Sequence, residues 1–473
     1  MLTSKTKILA TLGPASNTKE IIGEMVEAGA DVFRINFSHT GEEEFLNYLS
    51  IIRQLNLKQG KNISVLADLQ GPKLRVGVIE NNGIELNEGD IVNFVNEKCV
   101  GNKDRIYMSY ADFPKDVFPG EIILVDDGRI KLEVTETNRV DSVKAKVIHG
   151  GILSSKKGVN LPNTKVSLPS LTPEDIKNAG LAIDNGINWI ALSFVRRAAD
   201  ILELKELIRK RGGKAGVIAK IEKPEALLEI DEIINAADGI MVARGDLGVE
   251  LPFEEVPLIQ KEIVKKCLGR SKPVIIATQM MESMITNFRP TRAEAADVAN
   301  AVLDGADALM LSGETSVGKF PVETIRSMQE IISYTESAGR PFNRMHLPDE
   351  DSPNFIADSI CFNAAHFARQ AKAKAIVTFT YSGYTALRIA SHRPEAEIFA
   401  FTKDKLLMSH LSLVWGIRTF YLAKSERLED AIQESIETLR ENELIMEGDC
   451  IVHAGSSPFN LHGRTNIIKV SYV

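Results

Sequence analysis

Gly239-Ile240-Met241-Val242-Ala243-Arg244-Gly245-Asp246 is a short apolar run that ends abruptly in charge, with a carboxylate between two residues that free the backbone. A strand of a parallel sheet reads this way, because helices cover both of its faces and leave polar groups only at its end. The same sequence of events, an apolar run, then polar residues, then a helical stretch, recurs at residues 7–12, 31–38, 64–68, 189–195, 216–222, 274–279 and 308–314. Eight such units, with their polar residues gathered at the carboxyl ends, argue for a closed (β/α)8 barrel over a doubly wound open sheet. The functional residues of such a barrel lie at the carboxyl end of its strands.

Runs four to eight follow one another at roughly 25–35 residues, whereas more than 110 separate run three from run four. The inserted segment reads as short alternating strands at 73–80, 83–93, 121–135 and 142–149, with Asn81-Asn82-Gly83 and Asp126-Asp127-Gly128 as turns. An inserted all-β domain on a barrel loop is placed to act as a lid. After a polar, proline-containing stretch at 341–353, strand runs at 375–380, 398–402, 418–422, 450–453 and 466–473 alternate with helical segments. The expected organisation is a barrel from 1–69 and 167–340, a β lid from 70–166, and an open α/β regulatory domain from 341–473.

Composition narrows the function classes. Hydrophobic residues are 44% and charged residues 25% of the 473, as in ordinary globular proteins. The net charge of −8 disfavours a nucleic-acid partner. No apolar run approaches the roughly 20 residues of a membrane helix, and the N-terminus has no signal-peptide pattern, so a cytoplasmic protein is expected. The four cysteines, Cys99, Cys267, Cys361 and Cys450, are widely spaced and read as reduced, packed thiols.

The strand ends carry the chemistry. Alternation along a strand puts Arg34, Asn36 and Ser38 on one face, and likewise Lys220 and Glu222. Glu222 and Asp246 end consecutive strands and are expected to converge above the barrel. Two carboxylates suit a hard cation such as Mg²⁺, which takes its remaining oxygens from water and substrate. Arginine and lysine beside such an ion suit a phosphate or carboxylate substrate and neutralise a transferring phosphoryl group. Thr278 and Ser312-Gly313-Glu314-Thr315 complete the ring. No glycine-rich nucleotide loop is present, so a nucleotide is expected to be held by side chains and the lid.

Several stretches together resemble the pyruvate kinase family over essentially the whole chain: Thr6-Lys7-Ile8 with Thr11-Leu12-Gly13-Pro14, Arg34-Ile35-Asn36-Phe37-Ser38-His39, Lys156-Lys157-Gly158-Val159-Asn160-Leu161-Pro162, Lys220-Ile221-Glu222, residues 238–248, Pro290-Thr291-Arg292-Ala293-Glu294, and Met310-Leu311-Ser312-Gly313-Glu314-Thr315. The resemblance implies transfer of a phosphoryl group from phosphoenolpyruvate to ADP, giving pyruvate and ATP, in a homotetramer. It implies that Lys220 stabilises the phosphoryl group and the enolate, and that Glu222 and Asp246 bind Mg²⁺ or Mn²⁺. Arg34 contacts the phosphate. Gly245, Asp246 and Thr278 touch substrate, with Thr278 on the protonation route. Asn36, His39, Arg75 and Lys157 border the nucleotide. Two other classes share some of these residues. A metal-dependent lyase or aldolase would not need Arg75 or Lys157, and a non-catalytic binding protein would be expected to have lost Lys220, Glu222 or Asp246.

Two departures from the family pattern carry further expectations. Most members read Asp-Thr-Lys-Gly-Pro-Glu at the third strand and hold K⁺ through the counterparts of Asn36, Ser38, Asp68 and the following threonine. This chain reads Asp68-Leu69-Gln70-Gly71-Pro72-Lys73. Leu69 has no hydroxyl, and the Lys73 ammonium is expected to replace the ion near Asp68, so that K⁺ is not required. Thr380, Ser382, Gly383 and Thr385 form a loop between a strand and a helix that suits a phosphate. Tyr381 and Tyr384 stand where members activated by fructose 1,6-bisphosphate carry basic residues, so a phosphorylated activator with a single phosphate is expected there.

Overall fold

In a computed structural model, which describes residues 4–423, 425, 427–459 and 465–473, eight parallel strands close into a barrel. In chain order they are Lys7–Thr11, Val32–Asn36, Ser64–Asp68, Trp189–Leu192, Gly216–Ile221, Gly239–Ala243, Val274–Ala277 and Ala308–Leu311. The last pairs with the first through Lys7 opposite Ala308, which shuts the ring. These are the eight runs read from the sequence, and the closed barrel with its β-rich lid and C-terminal α/β domain is the architecture expected.

Inward-facing positions stack in layers, as strand alternation requires. Leu9, Val32, Leu66, Ala191, Ile218, Met241 and Ile275 form the buried middle of the barrel. Leu413, from the C-terminal domain, joins this same cluster beneath Trp189. The amino-terminal end of the barrel is therefore stoppered by another domain, and the carboxyl end is the one left open. Around the stopper, Arg393 and Asp307, both nearly fully buried, pair at 2.9 Å, and Asp307 accepts the Trp415 backbone N–H at 3.1 Å. The His410 ring stacks on Trp189 at 3.8 Å.

The lid leaves the barrel after the third strand. Gly71, at φ +68°, makes the exit; a Cβ there would stand 2.7 Å from the Phe194 ring, so both the turn and the close approach call for glycine. The lid's main sheet runs, edge to edge, Val159–Asn160, Ile122–Val125, Ile130–Thr137, Ser142–His149, Ile91–Val95 and Ile106–Tyr107. Its long hairpin alternates buried and exposed residues with period two, which gives the lid its own core around Phe94, Leu132 and Val147. Three sequence expectations change. The run 83–93 is two strands, Gly83–Leu86 paired with Gly151–Ser154 and Ile91–Val95 in the main sheet, because the turn at 87–90 separates them. Residues 73–80 form no strand and are attached only by single bridges, Arg75 to Gly158, Val76 to Met108 and Ile79 to Gly101, because the segment curves from the hinge onto the lid's edge. Residues 121–135 are two strands, split where Asp126, Asp127 and Gly128 take positive φ.

The C-terminal sheet is ordered Ile417–Tyr421, Glu397–Thr402, Ala375–Phe379, Cys450–Gly455 and Ile467–Tyr472, with only the last strand antiparallel. All four cysteines are free thiols. Among the described residues no helix is long and apolar enough to cross a membrane.

Two buried histidines, His392 and His453, and the half-buried His410 give the fold a pH dependence. Burial, then the charges of Arg388, His346 and Arg393, pushes His392 down to about 3. Burial pushes His410 and His453 down to about 4, with nearby Asp238 partly opposing it at His410. Each stays neutral when folded and gains a proton when unfolded below about pH 6.5. Stability is therefore complete above that value and falls as pH drops from about 6.5 towards 4, by roughly 1.4 kcal/mol per pH unit per histidine. Urea unfolding at pH 7 and pH 5 is expected to show a smaller loss in His392→Leu than in the parent protein; equal losses would show that His392 does not contribute.

Candidate active site

The top inward-facing layer of the barrel is polar where the layers below are apolar. Asp68 ends the third strand and is almost completely buried. Its Oδ2 takes the Arg34 Nε–H at 2.7 Å, and its Oδ1 lies 3.2 Å from the Lys220 ammonium. Lys220 also reaches Glu222 Oε1 at 2.9 Å and donates to Ser193 Oγ at 2.7 Å. Arg34 donates further to Thr11 Oγ1 at 3.1 Å. Two cations thus share one buried carboxylate, each with a second partner.

This balance sets the charge states. Burial works against the Lys220 ammonium, but Asp68 and Glu222 outweigh it and hold its pKa above that of an ordinary lysine. Burial likewise works against ionised Asp68, and Lys220 with Arg34 overcomes it, so the carboxyl sits below its usual range. Glu222 differs. Burial raises its pKa, Lys220 opposes this, and the neighbouring charge of Asp246 adds to it.

That carboxylate pair fits a divalent cation. Glu222 and Asp246 supply oxygen ligands only, and a shared ion would relieve their mutual repulsion. Among the described residues no group of three or more histidine, cysteine, aspartate or glutamate side chains is placed to hold a metal, so water and substrate would complete the shell. Glu222 is aimed by the Phe194 backbone N–H, which donates to its Oε2 at 2.7 Å. Asp246 lies in the first turn of a helix, Arg244–Glu250, that starts directly at the end of the sixth strand.

Thr278, at the end of the seventh strand, has φ +70°, an unfavourable conformation for a β-branched residue, of order 1–3 kcal/mol. The Gly245 N–H, donating to its Oγ1 at 2.7 Å, helps to hold it there. The hydroxyl is thereby fixed at the rim beside Asp246.

A cavity of about 610 Å³ opens over this layer and is lined by Arg34, Asn36, His39, Lys220, Glu222 and Asp246, among others. A second cleft, of about 1100 Å³, lies between barrel and lid and shares Asp246 and Thr278 with the first. Asn36 and His39 line the first of these spaces. Arg75 and Lys157 line neither space. Lys157 pairs with Asp126 at 2.7 Å and Arg75 donates to the Lys156 carbonyl, so both are occupied within the lid.

Lys73 also departs from expectation. Its ammonium is 3.9 Å from Asp246 Oδ1 and forms no ion pair with Asp68, whose two oxygens are already engaged by Arg34 and Lys220. Leu69 is buried in the barrel's hydrophobic core, and Asn36 Oδ1 is taken by the Ser38 N–H at 3.0 Å. Ser193, Thr11 and the Phe194 N–H were not singled out by sequence. Ser193 was within reach, since it shares strand parity with Trp189 and Ala191. The Phe194 contact is a backbone one and leaves no trace in residue type.

In the C-terminal domain Thr380 Oγ1 accepts the Gly383 N–H at 2.9 Å and Ser382 Oγ faces the Tyr384 N–H at 3.4 Å. Thr380, Ser382 and Thr385 line a small pocket with Lys403 on its far wall. Tyr384 turns its hydroxyl onto buried Asp358.

Comparison with known proteins follows the same division. The family described as "Pyruvate kinase, barrel domain" matches residues 3–325, and "Pyruvate kinase, alpha/beta domain" matches 358–471. A pyruvate kinase of Geobacillus stearothermophilus is 42% identical over 99% of this chain and 80% of its own length. One from Corynebacterium glutamicum is 41% identical over 98% of this chain and 97% of its own. The crystal structure of a pyruvate kinase from Cryptosporidium parvum superposes with a TM-score of 0.91 at 33% identity, covering 99% of this chain and 96% of that one.

Proposed function

Because the chain belongs to the pyruvate kinase family, and so transfers the phosphoryl group of phosphoenolpyruvate to ADP in the last step of glycolysis, we propose that the charged ring at the barrel mouth carries that reaction. The observation that carries the assignment is the Lys220 ammonium, held within 3.2 Å of both Asp68 and Glu222. In the reaction the bond between phosphorus and the enol oxygen breaks, a bond to the terminal oxygen of ADP forms, and the enolate takes a proton to become pyruvate. Arg34 grips the phosphate. Lys220 faces the oxygens that gain charge, first on the phosphoryl group and then on the enolate. Its raised pKa makes it a fixed positive charge and a poor acid. The proton therefore reaches the enolate by another route, and the Thr278 hydroxyl lies on it. Asn36 and His39 border the nucleotide, with Arg75 and Lys157 joining when the lid closes.

The family generally uses Mg²⁺. Glu222 and Asp246 would hold this ion, or Mn²⁺, which would supply positive charge against the phosphate oxygens. Substrate and ADP would complete the site. A homotetramer in the cytoplasm is the assembly and location this reading favours.

Lys220→Met tests the central assignment. Losing one preorganised charge of this kind costs on the order of 10²–10³ in turnover. The variant is expected to keep its circular dichroism spectrum and lose that activity; near-normal turnover would overturn the role.

We also infer that this enzyme needs no K⁺. The Lys73 ammonium brings a unit charge to the mouth of the site beside Asp246, while the usual K⁺ oxygens of Asn36 and Asp68 are engaged and Leu69 offers none. Full activity is expected in tetramethylammonium buffer. Lys73→Glu is expected to lower it there, with partial rescue by K⁺. Strong K⁺ activation of the unmutated enzyme would contradict this.

A phosphate monoester, as in a sugar monophosphate or AMP, is the activator the Thr380–Thr385 loop fits: the hydroxyls of Thr380, Ser382 and Thr385 line the pocket and Lys403 offers charge for one phosphate. Activation assays are expected to respond to such monophosphates. Strong activation by fructose 1,6-bisphosphate with no monophosphate response would refute it.

A further inference from the structure

The two carboxylates assigned to the divalent cation stand on separate strand ends, and a second pair of side chains ties those ends together. Lys223 follows Glu222 directly and caps the short helix Pro224–Leu228. Glu250 closes the helix Arg244–Glu250 that carries Asp246 in its first turn. The Lys223 ammonium lies 2.6 Å from Glu250 Oε1, and the two side chains are 13% and 1% exposed. The same oxygen accepts the Asn160 side-chain amide at 2.9 Å. Asn160 belongs to the lid, on the edge strand Val159–Asn160 that pairs with Ile122–Val125. Glu250 Oε2 is buried without a partner, so the carboxylate's hold on its surroundings runs through the one shared oxygen. A charge this buried is costly unless paired, and the contact is correspondingly strict in geometry.

We propose that Glu250 is a positioning residue: with Lys223 it fixes the separation of Glu222 and Asp246, and through Asn160 it registers the lid against the helix that carries Asp246. The proposal rests on the reading of Glu222 and Asp246 as cation ligands. Three links in the structure converge on it. The ion pair spans the two ligand-bearing segments one residue after Glu222 and four after Asp246. The lid touches this helix at both ends, through Asn160 at Glu250 and through Lys73 at Asp246. The helix has only seven residues, so a shift at Glu250 is transmitted to Asp246 with little room for absorption. None of the three side chains lines the cavity over the catalytic layer, although Asn160 and Lys223 line a smaller pocket that Asp246 also borders.

The test is Mn²⁺ binding to the substrate-free enzyme, followed by electron paramagnetic resonance of the free ion, in parallel with the Mg²⁺ dependence of turnover. Groups that orient metal ligands typically change metal affinity by 10–100-fold. Acting through backbone, Glu250→Gln is expected to weaken Mn²⁺ binding about 3–10-fold, with a smaller change in turnover at saturating metal. Asn160→Ala is expected to speed hydrogen exchange at the 158–160 amides. Glu250→Gln that binds Mn²⁺ as the parent does would overturn the proposal. Should that variant not fold, the paired replacement Lys223→Met with Glu250→Met removes the buried charges together, and unaltered Mn²⁺ affinity there would be equally decisive against it. Asp246→Asn separates the two levels. If it leaves Mn²⁺ binding intact, the cation-ligand reading is wrong; if it abolishes binding while the Glu250 variants bind normally, only the positioning role is lost.

Discussion

A single buried carboxylate, Asp68, keeps two cations in a place where burial alone would discharge or exclude them. Arg34 from the second strand and Lys220 from the fifth meet it at 2.7 and 3.2 Å, and each depends on it for its aim. The rest of the architecture serves this contact. The barrel puts the three side chains on inward positions of strands two, three and five, with Leu413 packed into its interior from the end opposite the charged layer. Ser193 and Thr11 take further hydrogen bonds from the two cations, which orients the cluster before substrate arrives. A charge that is already fixed and desolvated acts on a transferring phosphoryl group without reorganising.

The lid and the C-terminal domain act on this mouth from opposite directions. The lid reaches it through Lys73 and Asn160, both of which contact the helix Arg244–Glu250. The C-terminal domain packs against the opposite end of the barrel, with Leu413 in its interior and the Arg393–Asp307 pair ahead of the eighth strand. Arg388 links the effector-loop helix to the barrel's Ser271 at 3.0 Å, just ahead of the strand that ends at Thr278. A hydrogen bond and the chain from Ser271 to Thr278 therefore connect the C-terminal domain to the strained threonine at the rim.

The fold was legible because eight apolar runs ended in polar residues, and a parallel barrel is the economical way to bury such runs on both faces. The site was legible at positions where alternation put charge on an inward face, as at Arg34, Lys220 and Glu222. It was not legible where the contact belongs to the backbone, as at the Phe194 N–H, or where a side chain's partner is remote in sequence. Lys73 illustrates the second case: its residue type announced a charge near the site, but only the hinge at Gly71 and the engaged oxygens of Asp68 decide that it faces Asp246. The short lid strands were misjudged for a related reason. Residues 73–80 have strand-like composition but are bent by the hinge, which local pattern does not record.

The dependence of Lys220 on Asp68 can be measured directly through the pH profile of turnover in Asp68→Asn between pH 7 and pH 10. Burial is the largest influence on Lys220 and favours its neutral form, so removing the Asp68 charge moves its titration downwards. The expected result is lower turnover at pH 7 and a new alkaline limb absent from the parent enzyme. A profile that overlays the parent's, in amplitude and shape, would mean that Asp68 does not hold the catalytic lysine.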